Sequence, residues 1–481
     1  MKKILLSLIA LMSLSNRYSA QTYPSLNINL LAHIDPEKDN TGSDGRKYSG
    51  CWGWFQSSTN KEYAIVGTSS QTYFIDVTNP TSPVIVDSVK SAKTGCTWRE
   101  VKTYQHYCYI VSDDNPPNTF QIVDMQYLPD SVHVVHNGTT YFERSHTLFI
   151  DQDRMYCGAP KDVGTGYQSP LRVYSLANPE NPVLLRRLED DISSTNIDYV
   201  HDMFVRNDTI YASTGWKGLQ IVKYNTGSNT FSLLQTFAGY PYSGYNHSSW
   251  QTDDRKTIVF ADEVSNGLPA KVLDVTNINN MTLVDTVRSN FGATAHNPYI
   301  VGNRWCWMST YHDGIYLYDI SNPSNTTIHG YFDTYPQQGA GNTNSTYSGY
   351  RGNWGAYPYL PSKIIIACDM QNGIFILDGD NTYKSTTGVK EVESKPISSS
   401  FSIFPNPANN QLNCIIANQL SSNLQFTITD VLGKTVREES WNINRTLYKA
   451  QININDLKDG CYFMTIKGDN IHETKKILIQ K

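Results

Sequence analysis

Short apolar runs recur from about residue 25 to residue 380, and their aromatic, β-rich content with no helical patterning between them marks them as strands. They come in sets of four. The first run of each set opens on Trp or His, with a large apolar residue three positions later. The pairs are Trp52/Phe55, Trp98/Val101, His146/Phe149, His201/Phe204, His247/Trp250, His296/Tyr299 and Trp354/Tyr357, spaced 46–58 residues apart. The second run is strongly apolar, as in Tyr107–Ser112. The third often ends on Asp, as in Phe74-Ile75-Asp76 and Ile376-Leu377-Asp378, with Asn-Pro turns after several sets. Pro cannot donate to a ladder, so it ends the strand and starts the turn. Four-stranded units at this period, without helical patterning between them, predict an all-β chain built as a seven-bladed β-propeller.

The seventh set has no fourth run before the polar stretch 380–395. Leu26–His33 has the character of the missing strand, so the N-terminus is expected to complete the last blade and close the ring. Residues 335–352 read as a Gly/Asn/Ser-rich insertion before the seventh blade. From about Phe401, alternation with tight Gly turns predicts a small antiparallel β-sandwich. Residues 1–20, with Lys2, Lys3, the apolar Ile4–Leu14 and Ser19-Ala20, read as a signal peptide. The expected division is 1–20 signal peptide, 21–378 propeller, 379–398 linker and 399–481 C-terminal sandwich.

Charge narrows the partners. The formal charge of -5 becomes -8 once residues 1–20 are removed; 396–481 carries +2, leaving -10 on the middle of the chain. Such a surface repels phosphate backbones, so nucleic acid is not expected as a partner. No later segment is apolar and long enough for a transmembrane span. The eight cysteines contain no CxxC pair, which argues against a zinc knuckle. Export would permit disulfides; Cys51/Cys96 and Cys414/Cys461 are candidate pairs, whereas Cys108, Cys157, Cys306 and Cys368 read as core fillers.

The tail carries Phe404-Pro405-Asn406-Pro407, Asp430-Val-Leu-Gly433-Lys434, Leu457-x-x-Gly460-x-Tyr462-Phe463 and Lys475-Lys476-Ile477. On these residues it resembles the type A C-terminal sorting domain of the type IX secretion system. The resemblance implies type IX machinery and its sorting protease as partners. It also implies passage across the outer membrane, then release or surface attachment. Cys51-Trp-Gly-Trp54, Phe74-Ile-Asp-Val-Thr-Asn-Pro80, His146-Thr-Leu-Phe-Ile-Asp151, Val200-His-Asp-Met-Phe204 and Ala295-His-Asn-Pro-Tyr299 are similar to choice-of-anchor B proteins with LVIVD-type repeats. That resemblance implies a propeller and transfers no activity.

If every blade shares one register, His146, His201, His247 and His296 form an arc facing a second arc of Trp354, Trp52 and Trp98 across one end of the channel. Carboxylates in the turns between second and third strands (Asp113-Asp114, Asp262-Glu263, Asp313, Asp369) would lie on the same face. Imidazoles backed by carboxylates suit a transition metal. The Trp faces suit a carbohydrate, an aromatic ring or a cation, and Asp262-Glu263 suits a solvated turn first, with calcium or acid–base work as the alternative. Structural histidines, each bonded within its own blade, would give the same pattern. The sequence thus supports an exported ligand- or protein-binding module. A metal-dependent hydrolase or oxidase and a purely structural surface protein are the alternatives, and no catalytic residue is assigned.

Overall fold

The computed structural model describes residues 23–37, 45–96, 98–114, 116–290, 292–337, 347, 349–384, 401–417, 423–442, 447–468 and 471–481. Residues 1–20, read above as a signal peptide, lie outside these, as do most of the insertion 335–352 and residues 385–398 of the linker.

Seven antiparallel sheets each follow the order first to fourth strand. Blade one is Tyr48–Gln56, Lys61–Thr68, Gln71–Asp76 and Val84–Lys90; blade four is Asp202–Arg206, Thr209–Ser213, Leu219–Asn225 and Thr230–Phe237. From blade one to blade six, first strands of neighbouring blades lie against one another; Asn353–Tyr357 of blade seven lies against Trp305–Ser309 of blade six on one side and Tyr48–Gln56 of blade one on the other, so the ring is closed. Second strands are buried on both faces, Tyr107–Ser112 completely. That is why they read as continuous apolar runs rather than alternating ones. Fourth strands are largely solvated, as Val84–Lys90 is.

The Asp that ends a third strand caps the turn after it. Asp76 accepts from the Thr78 amide at 3.0 Å, Asp124 from Gln126 at 2.9 Å, Asp274 from Thr276 at 2.8 Å and Asp319 from Ser321 at 3.0 Å. The carboxylate mimics a backbone acceptor and stops the strand there. In every blade the pairing of the third strand with its outer neighbour contains a register irregularity, for example between Phe74 and Ile75 or Val272 and Leu273. An extra residue there increases the local twist of the outer strand.

The N-terminal arm makes two contacts where one was expected. Ser25–Leu26 adds a fifth strand to blade six, and Leu30–Ile34 supplies the outer strand of blade seven against Gly373–Asp378. The first part of the expected linker is also ordered. Gly379–Lys384 is a short helix, and Tyr383 from it accepts from Trp307 Nε1 at 2.8 Å.

The C-terminal sandwich packs Phe401–Phe404, Gln411–Ala417 and Leu447–Asn453 over a four-stranded sheet of Thr435–Asn442, Asn423–Asp430, Gly460–Gly468 and Ile471–Ile479. Its core includes Leu412, Phe426, Ile452 and Ile466, with Trp441 stacked on Phe426. Asn406, between Pro405 and Pro407, accepts from the Leu478 amide at 2.7 Å and donates to the Lys476 carbonyl at 2.9 Å, which pins that motif to the last strand. Gly433 turns at φ +80°, with Asp430 accepting from the Lys434 amide. Tyr462 donates to the Lys458 carbonyl, and Lys475 lies over the Phe401 ring. All eight cysteines are free thiols, so neither Cys51/Cys96 nor Cys414/Cys461 is joined.

Candidate metal centre

Each first strand lays its side chains on the channel in layers. Strand pairing places Trp52, Lys102, Phe149, Phe204, Trp250, Tyr299 and Tyr357 at one level, each opposite the equivalent second-strand residue. These side chains plug the channel: Phe149–Phe204, Phe204–Trp250 and Trp250–Tyr299 ring centroids are 5.4, 4.9 and 5.5 Å apart. Trp52 meets Tyr357 at 4.7 Å, with the Lys102 ammonium 4.2 Å from its ring centre.

Three residues earlier, towards the mouth, stand His146, His201, His247, His296 and Trp354. By the same count the positions in blades one and two are Ser49 and Arg99. The expected equivalence of a Trp arc with the His arc is therefore corrected. Trp52 belongs to the plug, three residues deeper. The blade-one register slips between Tyr48 and Cys51, and Gly50 there passes so close that a Cβ would lie 2.3 Å from the Arg99 carbonyl. Trp98 precedes its strand by one residue and stacks on Trp354 at 4.8 Å, with the Arg46 guanidinium 5.1 Å from its ring centre.

The four imidazoles are consecutive neighbours, with centroids 4.1, 4.3 and 4.2 Å apart, and Trp354 continues the row 4.5 Å from His296. Each of three is tied to the next blade rather than to its own. His201 Nδ1 donates to the His247 carbonyl at 3.2 Å, His247 Nδ1 to the His296 carbonyl at 3.2 Å, and His296 Nδ1 to the Trp354 carbonyl at 2.6 Å. A carbonyl oxygen only accepts, so Nδ1 carries a proton, and in the neutral ring Nε2 is left with its lone pair. His146 Nδ1 pairs instead with the Asp113 carboxylate. Burial and the neighbouring imidazoles hold His201 well below the ordinary histidine range, and burial and His247 do the same for His296. Burial lowers His146 too, but Asp113 outweighs it and the net shift is upward.

The turn carboxylates separate by role. Successive strand residues point to opposite faces, so Asp262 and Glu263 do not act together. Asp262 is fully buried and saturated by Lys271, Tyr240, Asn246 and the Gly244 amide. Glu263 faces the channel. Its Oε1 accepts from Tyr311 at 2.6 Å, and Oε2 lies 3.9 Å from His247 Nε2. His201, His247 and Glu263 bring one ligand atom each to within 4.8 Å of one another, the one such group of metal-ligating side chains among the described residues. His296 Nε2 is buried without a protein hydrogen-bond partner. Asp114 accepts from the Trp98 amide, Asp313 is held by Ser289, Asn290 and Tyr347, and Asp369 by Thr334 and two amides.

The space between is small. A chamber of about 20 Å³ is lined by Trp98, His146, His201, Asp202, His247 and Trp354, among others. A second of about 30 Å³ lies towards the plug, beside Glu100, Lys102 and Asp202. Each suits a water or an ion rather than a sugar or peptide. Sequence reasoning did not single out Arg99, Glu100, Lys102 or Tyr311. Lys102 precedes Tyr109 by seven positions, as Phe149 precedes Tyr156 and Phe204 precedes Tyr211; that hairpin spacing, rather than the nearest Trp, would have placed the first three.

Residues 402–480 match the secretion system C-terminal sorting domain family. With that domain at its C-terminus, the chain is one exported to the cell surface or beyond, and no helix among the described residues is long and apolar enough to cross a membrane. Among curated proteins none matches the chain. A solved structure of a proposed 6-phosphogluconolactonase from Bacteroides fragilis is similar at 10% identity, with TM-score 0.46, over 86% of this chain and 100% of that one.

Proposed function

We propose that the propeller is an exported binding module whose channel mouth holds one divalent transition-metal ion on His201, His247 and Glu263. The observation that carries this reading is the convergence of these three ligand atoms, each from a side chain fixed by another group. Metal-bound imidazoles characteristically donate their other N–H to a carbonyl or carboxylate, and neutral, buried rings are the form that coordinates. A donor set with two nitrogens favours zinc, copper or nickel over calcium, which takes oxygen ligands. His296, with its open Nε2, and the Asp113-paired His146 flank the ion. Trp98 and Trp354 wall the mouth.

A second reading follows from the ligand count. Two His and one Glu leave a tetrahedral ion with an open position, the arrangement of hydrolytic zinc centres. Asp202 and Glu100, lining the same chamber, would border a water held there. The type IX route, removal of the tail by the sorting protease, and kinship with the choice-of-anchor B and LVIVD-type propellers belong to the same proposal.

Elemental mass spectrometry of the purified secreted protein tests it. One equivalent of a transition metal, lost in His201→Ala/His247→Ala, is expected. A protein that stays metal-free after dialysis against zinc, copper and nickel overturns it.

A further inference from the structure

On blade four, at the same mouth, Trp216 stands with 70% of its surface exposed, in a chain that buries or half-buries most of its other tryptophans. The turn beneath it is rigid. Thr214 donates from both its amide and its hydroxyl to the Gly218 carbonyl, at 3.0 and 2.7 Å, and Gly215 exchanges two backbone hydrogen bonds with Asn246 of blade five. Glycine is required on either side of the indole. Gly215 has φ +60°, and a Cβ there would sit 2.6 Å from the Tyr245 ring; Gly218 has φ +84°, and a Cβ would sit 2.4 Å from the Phe237 carbonyl. A tight turn with two obligatory glycines thus holds an apolar ring in water. Indole hydration is unfavourable in the free protein, and a rigid platform loses little conformational entropy when a flat partner covers it.

The indole borders a groove of about 280 Å³ whose other wall is Ala238, Gly239, Tyr240, Ser243 and Gly244. Gly239 leaves open space where a side chain would stand. No lining residue carries a free charge: Tyr240 donates to Asp262, and the neighbouring Lys217 turns away to Asp198 and the Ser194 and Thr195 carbonyls. An aromatic face beside uncharged backbone and one hydroxyl matches a ring with apolar C–H faces and neutral polar edges.

We propose that this groove is a subsite for one neutral pyranose ring, stacked on Trp216 and hydrogen-bonded at its edge by Ser243 and the adjacent backbone. The site stands apart from the metal reading. Tyr245 lies between them, its ring 5.6 Å from Trp216 and 5.3 Å from His201, so a longer saccharide would extend towards the mouth.

The test is titration of the purified protein, with and without chelator, against neutral tetrasaccharides from β-glucan, xylan, mannan and α-glucan, with an uncharged tryptophan-containing peptide as control. Tryptophan fluorescence and calorimetry give the readout. At least one tetrasaccharide should bind with millimolar affinity or better and shift the emission of an exposed indole to the blue. Trp216→Ala should lose that binding at least tenfold, Trp216→Tyr should retain part of it, and chelator should leave it unchanged. Failure across the panel, binding insensitive to Trp216→Ala, or saturation by the peptide alone overturns the proposal.

Discussion

His201 donates its Nδ1 proton to the backbone carbonyl of His247, 3.2 Å away, while the two imidazoles stand 4.3 Å apart. One residue thus both fixes its neighbour's tautomer and presents a ligand atom beside it. Because the same bond recurs from His247 to His296 and from His296 to Trp354, the row is a seam stitching blades four to seven at the mouth. A purely structural role would need only the Nδ1 bonds. The unused Nε2 of His296 and the facing Glu263 are what that role leaves unexplained.

Tyr311 holds Glu263 through a 2.6 Å hydrogen bond while its ring stacks on His296 at 4.3 Å. Tyr311→Phe keeps the stack and releases the carboxylate. The expected result is metal affinity lower by about 10–100-fold, as for lost outer-sphere partners, with a nearly unchanged denaturation temperature. Competition titration against a chromophoric chelator measures it.

Lys271 and Asp262 form an ion pair with both side chains fully buried, 2.8 Å apart. Removing one partner strands the other charge away from water. Lys271→Met should cost about 3–5 kcal/mol, and adding Asp262→Asn should recover part of it. Equilibrium unfolding of the single and double variants reads this; equal losses in both would contradict the account.

Burial, reinforced by Asp333, pushes Asp369 up to about 7, against the lowering pull of Thr334 and the Asn372 and Gln371 amides. The folded protein then holds a proton that the unfolded chain, with an ordinary carboxyl near 3.8, has released. Stability from this group is present below about pH 4 and is lost as pH rises towards 7. Asparagine keeps an acceptor for the two amides and cannot ionise. The difference in denaturation temperature between Asp369→Asn and the parent should grow in the variant's favour from pH 4 to pH 8; a constant difference would contradict it.

Closure depends on the N-terminal arm. Asp35, directly after the Leu30–Ile34 strand, accepts from Lys47 at 2.9 Å and from Tyr48 at 2.5 Å, tying blade seven's outer strand to the start of blade one. Lys47 is buried, so Asp35→Ala should cost about 2 kcal/mol or more. It should raise proteolysis near residue 30 before it affects the central blades, as peptide mapping after limited digestion would show.

Blade count and strand order are legible in the sequence because they rest on short apolar runs at a regular spacing, a Trp or His mark in each set, and Asp and Pro punctuation. The His row is legible for the same reason: in blades three to six the His stands three residues before an aromatic residue of the plug. Blades one and two misled because Trp52 and Trp98 draw the eye, whereas the slip at Ser49-Gly50 and the Arg99, Glu100, Lys102 series set the true register. The bulge shared by all seven blades carries no residue signature. The separation of Glu263 from Asp262 depends on which face of a strand each occupies, a fact of register rather than composition.

The most direct measurement is anomalous diffraction from crystals of the zinc-reloaded protein, recorded at the zinc edge. The account predicts one dominant peak bounded by His201 Nε2, His247 Nε2 and a Glu263 oxygen, each about 2.0–2.2 Å away. Anomalous density only at surface carboxylates or histidines, with the channel mouth empty, would contradict it.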